Sequence, residues 1–394
     1  MSVTAPAGFA AAGVTAGLKK SGGLDLAIVS NLGPLANAAT VFTSNRCKAN
    51  PIIWSQQVMR DGRVSAIVLN SGGANCYTGT IGFQTTHATA EAVADQLQVS
   101  AGDVLVCSTG LIGEQLDLGK LTAGVLDAGL ALRDTAASSS ADAGLAAAQA
   151  IMTTDTRPKQ ATRLSPAGWT IGGMAKGAGM LAPGLATMLV VITTDAVLTS
   201  TQLDAALREA TRVTFDRLDS DGCMSTNDTV SLLASGASGV DADPAEFAAA
   251  LTELCRDLTL QLQGDAEGAS HDVAITVRNS ASETEAVTVA RAVSRSNLFK
   301  AAIYGNDPNW GRVLAAVGTI PEADAAFDPY GIDVAINGIQ VCTAGEPDQP
   351  RELVDLTPRA VSVVIDLHAG TAGATIWTND LTHDYVEENS AYSS

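Results

Sequence analysis

Histidine is scarce in this 394-residue sequence: His87, His271, His368 and His383 are all that occur, and they lie far apart. Metal chemistry built on histidine clusters is therefore poorly supported, and no metal is expected. The six cysteines (Cys47, Cys76, Cys107, Cys223, Cys255 and Cys342) form no C-x-x-C pair. They are too scattered for a zinc framework or a small disulfide scaffold. Positive charge is also short, with 23 Lys and Arg against 42 Asp and Glu, a net charge of −19 and a pI near 4.4. A nucleic-acid binder gains affinity by neutralising phosphates with basic clusters, and none is present, so no nucleic-acid partner is expected. Long apolar runs are missing too. The most apolar stretch, Met188 to Ile192, is strand-sized, far below the roughly 20 residues a membrane helix needs, so no membrane association is expected. Met1 to Leu18 lacks the basic start and apolar core of a secretory signal, and a cytoplasmic location is expected.

What the chain has in quantity is small and aliphatic residue. Apolar residues make up 46% of it, enough for a large core, and its length exceeds what one core usually organises, so two lobes are expected. Strands are predicted at Leu24–Ser30, Ala38–Thr43, Val64–Leu69 and Val104–Cys107, with helices at Gly82–Leu97, Leu116–Ala128 and Ser140–Met152. Further strands fall at Trp169–Gly173, Thr187–Thr194, Asp272–Val277, Ile332–Ile336, Ile339–Cys342, Ala360–Leu367 and Ala374–Trp377. Helices are predicted at Ser200–Thr214, Pro244–Gln263 and Glu283–Ser294. Asn337-Gly338 between alternating apolar residues is a hairpin signal, because both central positions tolerate positive φ. The polar tail from Tyr385 to Ser394 has the composition of a frayed end.

The segment from Met174 to Ala186 stands apart, dense in glycine and small residues with one proline, Pro183. A phosphate loop is a weak reading of it, since Lys176 is followed by Gly177 rather than Ser or Thr. A glycine-rich connection into a buried strand is the plain one. Thr187 adds a chemical one, standing at the start of a strongly apolar strand directly after that loop. Were the bond between Ala186 and Thr187 cut, one residue would carry both a hydroxyl and an α-amine. An α-amine with a pKa of about 8 can be neutral near physiological pH and take the proton from its own hydroxyl. The Thr187 hydroxyl attacking the Ala186 carbonyl would give an ester that water hydrolyses.

The string from Gly172 to Met188 resembles the processing site of the ornithine acetyltransferase family, the glutamate N-acetyltransferases that include the bifunctional ArgJ proteins of arginine biosynthesis. Similar anchors run along the chain: Asn70-Ser71-Gly72-Gly73-Ala74-Asn75, Cys107-Ser108-Thr109-Gly110-Leu111-Ile112-Gly113 and Ile151-Met152-Thr153-Thr154-Asp155. Ser225-Thr226-Asn227-Asp228-Thr229, Asp265-Ala266-Glu267-Gly268, Gly305-Asn306-Asp307-Pro308-Asn309-Trp310-Gly311-Arg312 and the tail from Tyr385 to Ser394 complete the set in family order. One local departure is Cys223-Met224, where the family commonly has small or polar residues.

The resemblance implies an α+β fold of the N-terminal-nucleophile-like type, a layered αββα arrangement with a smaller C-terminal α/β lobe. It implies cleavage into an α chain, 1–186, and a β chain, 187–394, assembled as an α2β2 heterotetramer. The implied activity is ping-pong acetyl transfer from N2-acetyl-L-ornithine to L-glutamate through an acetyl ester on Thr187. No cofactor is expected, with acetyl-CoA as an alternative acetyl-donating co-substrate. Thr109 and Gly110 match the family's oxyanion hole, a hydroxyl and a backbone N–H aimed at a developing negative oxygen. Read alone, Ser108-Thr109-Gly110 is an ordinary strand-ending turn. Thr153, Lys176, Glu267, Asn389 and Ser394 match substrate-binding positions, with Lys176 suited to a carboxylate and Glu267 to the ornithine amine. A self-processing aminopeptidase or amidase of related fold is the rival class, and a paralogue specialised for secondary metabolism is the rival role. Asp219-Ser220-Asp221-Gly222 faintly resembles a calcium loop but lacks the later Glu that such a loop needs.

Overall fold

The computed structural model describes residues 2–182 and 188–391. The first third holds strands β1 (Phe9–Val14), β2 (Leu26–Asn31) and β3 (Asn37–Phe42), helix α1 (Asn50–Val58), strand β4 (Ala66–Ser71), helix α2 (Gly79–Leu97) and strand β5 (Val104–Thr109). Helices α3 (Leu118–Leu132), α4 (Thr135–Ser138) and α5 (Ala141–Ala150) lead to strands β6 (Lys159–Leu164), β7 (Thr170–Lys176) and β8 (Leu189–Thr194). Helix α6 (Ser200–Val213), strand β9 (Thr229–Ala234) and helix α7 (Pro244–Gln263) close the larger lobe.

Its two sheets run β1-β2-β4-β5 and β3-β9-β8-β7-β6. Strand periodicity explains how they stack. Leu189 and Val191 of β8 point into the same core as Phe9, Val29, Leu69 and Leu105 of the other sheet. Val190 and Ile192 point the opposite way, onto Leu203 and Leu207 of α6 and Leu254 and Leu258 of α7. The outer face of the first sheet is covered in turn by Val93 of α2 and Leu121 and Val125 of α3. The layers are therefore αββα, and the run Met188 to Ile192 is apolar throughout because both its faces are buried.

The second lobe is built from β10 (Asp272–Ser280), α8 (Glu283–Ser294), α9 (Asn297–Tyr304), α10 (Trp310–Val317), β11 (Asp333–Ile336), β12 (Ile339–Thr343), β13 (Glu346–Pro347), β14 (Ala360–Asp366) and β15 (Ala372–Asn379). Its sheet runs β13-β12-β11-β14-β10-β15 and carries its own core of Val289, Phe299, Val313 and Ile365 among others. The α+β class, the αββα layering and the smaller C-terminal α/β lobe expected above are all present.

Three differences from the sequence expectation are informative. Strand β7 continues through Met174, Ala175 and Lys176, which were expected in the loop; pairing with both β6 and β8 carries it further. Strand β1, of sequence FAAAGV, gave no strand signal because its middle, Ala10 to Gly13, is all alanine and glycine. These residues are small because α5 lies against the strand: a Cβ on Gly13 would stand 2.2 Å from the Ala146 carbonyl oxygen. The polar tail is a helix, α11 (His383–Ala391), seated by Thr382 Oγ1 donating to the Gly268 carbonyl at 2.6 Å. At the hairpin, Asn337 and Gly338 adopt φ of 46° and 82°, as that dipeptide requires.

Candidate active site

A cavity of about 560 Å³ opens where the ends of β5 and β7 meet the loop after α7 and the C-terminal helix. Thr109, Gly110, Thr153, Lys176, Glu267 and Asn389 all line it. Six residues spread along the sequence from 109 to 389 thus share one wall system. Ala186, Thr187 and Ser394 lie outside the described residues.

At one end stands Lys176, fully buried at the end of β7. Its Nζ donates to Thr153 Oγ1 at 2.8 Å and to Thr109 Oγ1 at 3.3 Å. Because Thr109 accepts there, its own proton remains available to donate elsewhere. Burial pulls the Lys176 ammonium below the ordinary lysine range, opposed by the negative field of Asp155. Asp155 is itself held low: burial works to raise it, but Lys176, Lys159 and the Gly177 N–H together outweigh that. Lys19, on the rim, is also pushed down by burial, with Asp25 opposing.

The turn after β5 is fixed from both sides. Gly110 has a φ of +127°, a region L side chains rarely adopt, and a Cβ there would lie 2.5 Å from the Gly73 nitrogen. The Gly73 N–H donates to the Thr109 carbonyl at 3.0 Å. Asn227 Nδ2 donates to the carbonyls of Ser108 at 2.9 Å and Ala74 at 2.6 Å. Ser108 Oγ donates to Asn70 Oδ1 at 2.6 Å. These amides hold two strand-ending loops in register, so the Thr109 hydroxyl and the Gly110 backbone are set rather than free to drift.

The other end is acidic. Glu267 Oε2 accepts from Asn389 Nδ2 at 3.0 Å, which joins the loop after α7 to the C-terminal helix. A Cβ on Gly179 would stand 2.3 Å from the Glu267 carboxylate, so a larger residue there would push that carboxylate from its present place.

Sequence reasoning did not single out Asp155, Asn227 or Asp228, though each lies inside a motif quoted above. Asp228 is fully buried, accepts from the Met188 N–H at 3.1 Å, and leaves its Oδ2 without a partner among the described residues. Burial pushes its carboxyl well above the usual carboxylate range. A buried acid beside the first described residue of the β8 segment has no signal in spacing; only the fold brings the two together.

The model of the ArgJ family matches residues 10–394. The chain belongs to the ArgJ family. The arginine biosynthesis bifunctional protein ArgJ of Streptomyces coelicolor is 61% identical over 394 residues, all of both chains. The ArgJ of Bifidobacterium longum is 53% identical over 396 residues, again with both chains wholly covered. Among solved structures, the ornithine acetyltransferase of Mycobacterium tuberculosis complexed with ornithine is 53% identical, with 48% of this chain and 96% of that chain covered and a TM-score of 0.44.

Proposed function

We propose that this protein is an acetyltransferase of arginine biosynthesis that moves acetyl from N2-acetyl-L-ornithine to L-glutamate, after cutting itself between Ala186 and Thr187. The observation that carries the reading is the convergence on one cavity of an oxyanion-type turn, Thr109-Gly110, a buried cation, Lys176, and an opposing carboxylate, Glu267. The ArgJ relatives of full length support the pathway.

In this reading the Thr187 hydroxyl adds to the acetyl carbonyl, and its proton passes to the Thr187 α-amine. The Thr109 hydroxyl and the Gly110 N–H receive the negative oxygen. Collapse breaks the acetyl C–N bond, the α-amine returns the proton to the leaving nitrogen, and ornithine departs from an acetyl ester. The amine of glutamate attacks that ester in the reverse sense, restoring the hydroxyl. Lys176 and Thr153 receive the α-carboxylate, while Glu267 and Asn389 receive the side-chain ammonium of ornithine, with Ser394 completing the pocket. Burial of Lys176 serves this use, since a carboxylate restores the partner that desolvation makes the ammonium seek.

The same reading takes residues 1–186 and 187–394 as the α and β chains of an α2β2 assembly in the cytoplasm. Acetyl-CoA is a second acetyl donor in it, and no cofactor takes part. Intact mass spectrometry of wild type and Thr187→Ala, before and after N2-acetylornithine, tests it. Two fragments and an acetyl adduct on the C-terminal one are expected in wild type alone. Acetate released at the same rate without glutamate would make the enzyme a hydrolase instead.

A further inference from the structure

Beside the cavity lies a buried group of charges, Lys159, Asp155 and Asp265, that does not itself line it. Lys159, wholly inaccessible on β6, donates through Nζ to Asp155 Oδ1 and to Asp265 Oδ2, both at 2.6 Å. Each aspartate then holds a different part of the site. Asp155 accepts the N–H of Thr153 at 3.0 Å and the N–H of Gly177 at 2.6 Å, so it fixes the residues beside the Lys176 ammonium. Asp265 accepts the Thr156 N–H at 3.1 Å and the Thr156 hydroxyl, and stands two residues before Glu267. The Glu267 N–H in turn donates to the Ala178 carbonyl at 3.0 Å.

These contacts close a ring. From Gly177 it passes through Asp155, Lys159 and Asp265 to Glu267, and returns through Ala178 to the strand exit it left. The cationic pole of the cavity, Lys176 with Thr153, and its acidic pole, Glu267 with Asn389, are both carried on this ring. Ion pairs buried so deeply contribute little net stability compared with apolar residues of the same volume, and their better-attested use is to select one arrangement. The ring has one arrangement to select, the distance between the poles.

We infer that Lys159 is a positioning residue that fixes the spacing between the two poles of the cavity and thereby sets the chain length of the diamino acid it accepts. This rests on the function proposed above. A substrate with its carboxylate on Lys176 must bring its side-chain ammonium to Glu267. One methylene too few or too many leaves a charge short of its partner or forces it past.

The test compares kcat/KM for acetyl transfer to glutamate from N2-acetylornithine, from N2-acetyl-2,4-diaminobutyrate, one methylene shorter, and from N2-acetyllysine, one longer. Asp265→Asn is the gentle variant, since an amide oxygen can still accept the Thr156 N–H while the attraction to Lys159 is lost. Lys159→Met is the severe one, and if it fails to fold, Asp265→Asn carries the comparison. Wild type is expected to prefer the ornithine donor by at least about tenfold over either homologue, the scale at which a methylene is discriminated. In the variants that preference should shrink severalfold, with KM for N2-acetylornithine rising more than kcat falls. A folded Asp265→Asn enzyme with the wild-type chain-length profile overturns the inference and leaves the proposed function standing. A wild type that transfers from none of the three donors sinks the proposed function itself.

Discussion

The Lys176 ammonium lies 2.8 Å from the Thr153 hydroxyl and 3.3 Å from that of Thr109, so one buried cation links the proposed carboxylate-binding residue Thr153 to the proposed oxyanion turn. Replacing it by Met should raise KM for N2-acetylornithine by roughly 10- to 100-fold, the worth of a charged hydrogen bond. The pH dependence follows from the direction of its shift. Burial places the free ammonium below the ordinary lysine value of 10.5, and a carboxylate binds the protonated form. Affinity should therefore be full at low pH and fall as pH rises through the lowered pKa. A KM profile flat from neutral pH to 10.5 would contradict this.

Gly110→Ala should lower kcat by roughly 10²- to 10³-fold, the cost of losing one oxyanion donor. The added Cβ meets the Gly73 nitrogen at 2.5 Å on a backbone already at positive φ, so the turn must shift. Single-turnover acetylation of the enzyme is the measurement. An unchanged acetylation rate in the folded variant removes Gly110 from the oxyanion site.

Asp228 gives a stability prediction with a definite sign. Its folded pKa stands well above the ordinary 3.8, so above pH 3.8 the unfolded chain releases a proton that the folded one keeps. The stabilisation is complete below 3.8 and is lost as pH climbs toward the raised value. Asp228→Asn removes the titration. Its melting temperature relative to wild type should increase across that window, and parallel curves would show that the acid is not shifted.

The thiols should divide by burial. Cys107 is buried and its pKa is pushed up to about 12, while Cys47 is exposed. Iodoacetamide on the native protein should modify Cys47 and spare Cys107 until the fold is opened, as read by peptide mass spectrometry.

The ends of α7 and α8 fall where periodicity and capping residues place them, at Pro244–Gln263 and Glu283–Ser294, because each helix buries one clear stripe. Strand β1 was illegible because its small residues answer to a helix 130 residues further along the chain. The site divides in the same way. That Thr109, Lys176 and Glu267 belong together was suggested by the motifs they sit in, and they do line one cavity, whereas nothing in the spacing of Lys159 and Asp265 announces a 2.6 Å contact. Buried charges are matched by the folded chain, and a linear reading does not see the match.

The five-stranded sheet interleaves the chain on either side of position 187. Strands β3, β6 and β7 precede it and β8 and β9 follow, yet β8 is laced between β7 and β9, and β9 between β8 and β3. Severing the backbone there would make two polypeptides that share one ladder and one hydrophobic interior. The second piece could not leave without tearing the middle out of this sheet, nor the first without stripping both its flanks, so the halves would travel together through any gentle purification and part only in denaturant.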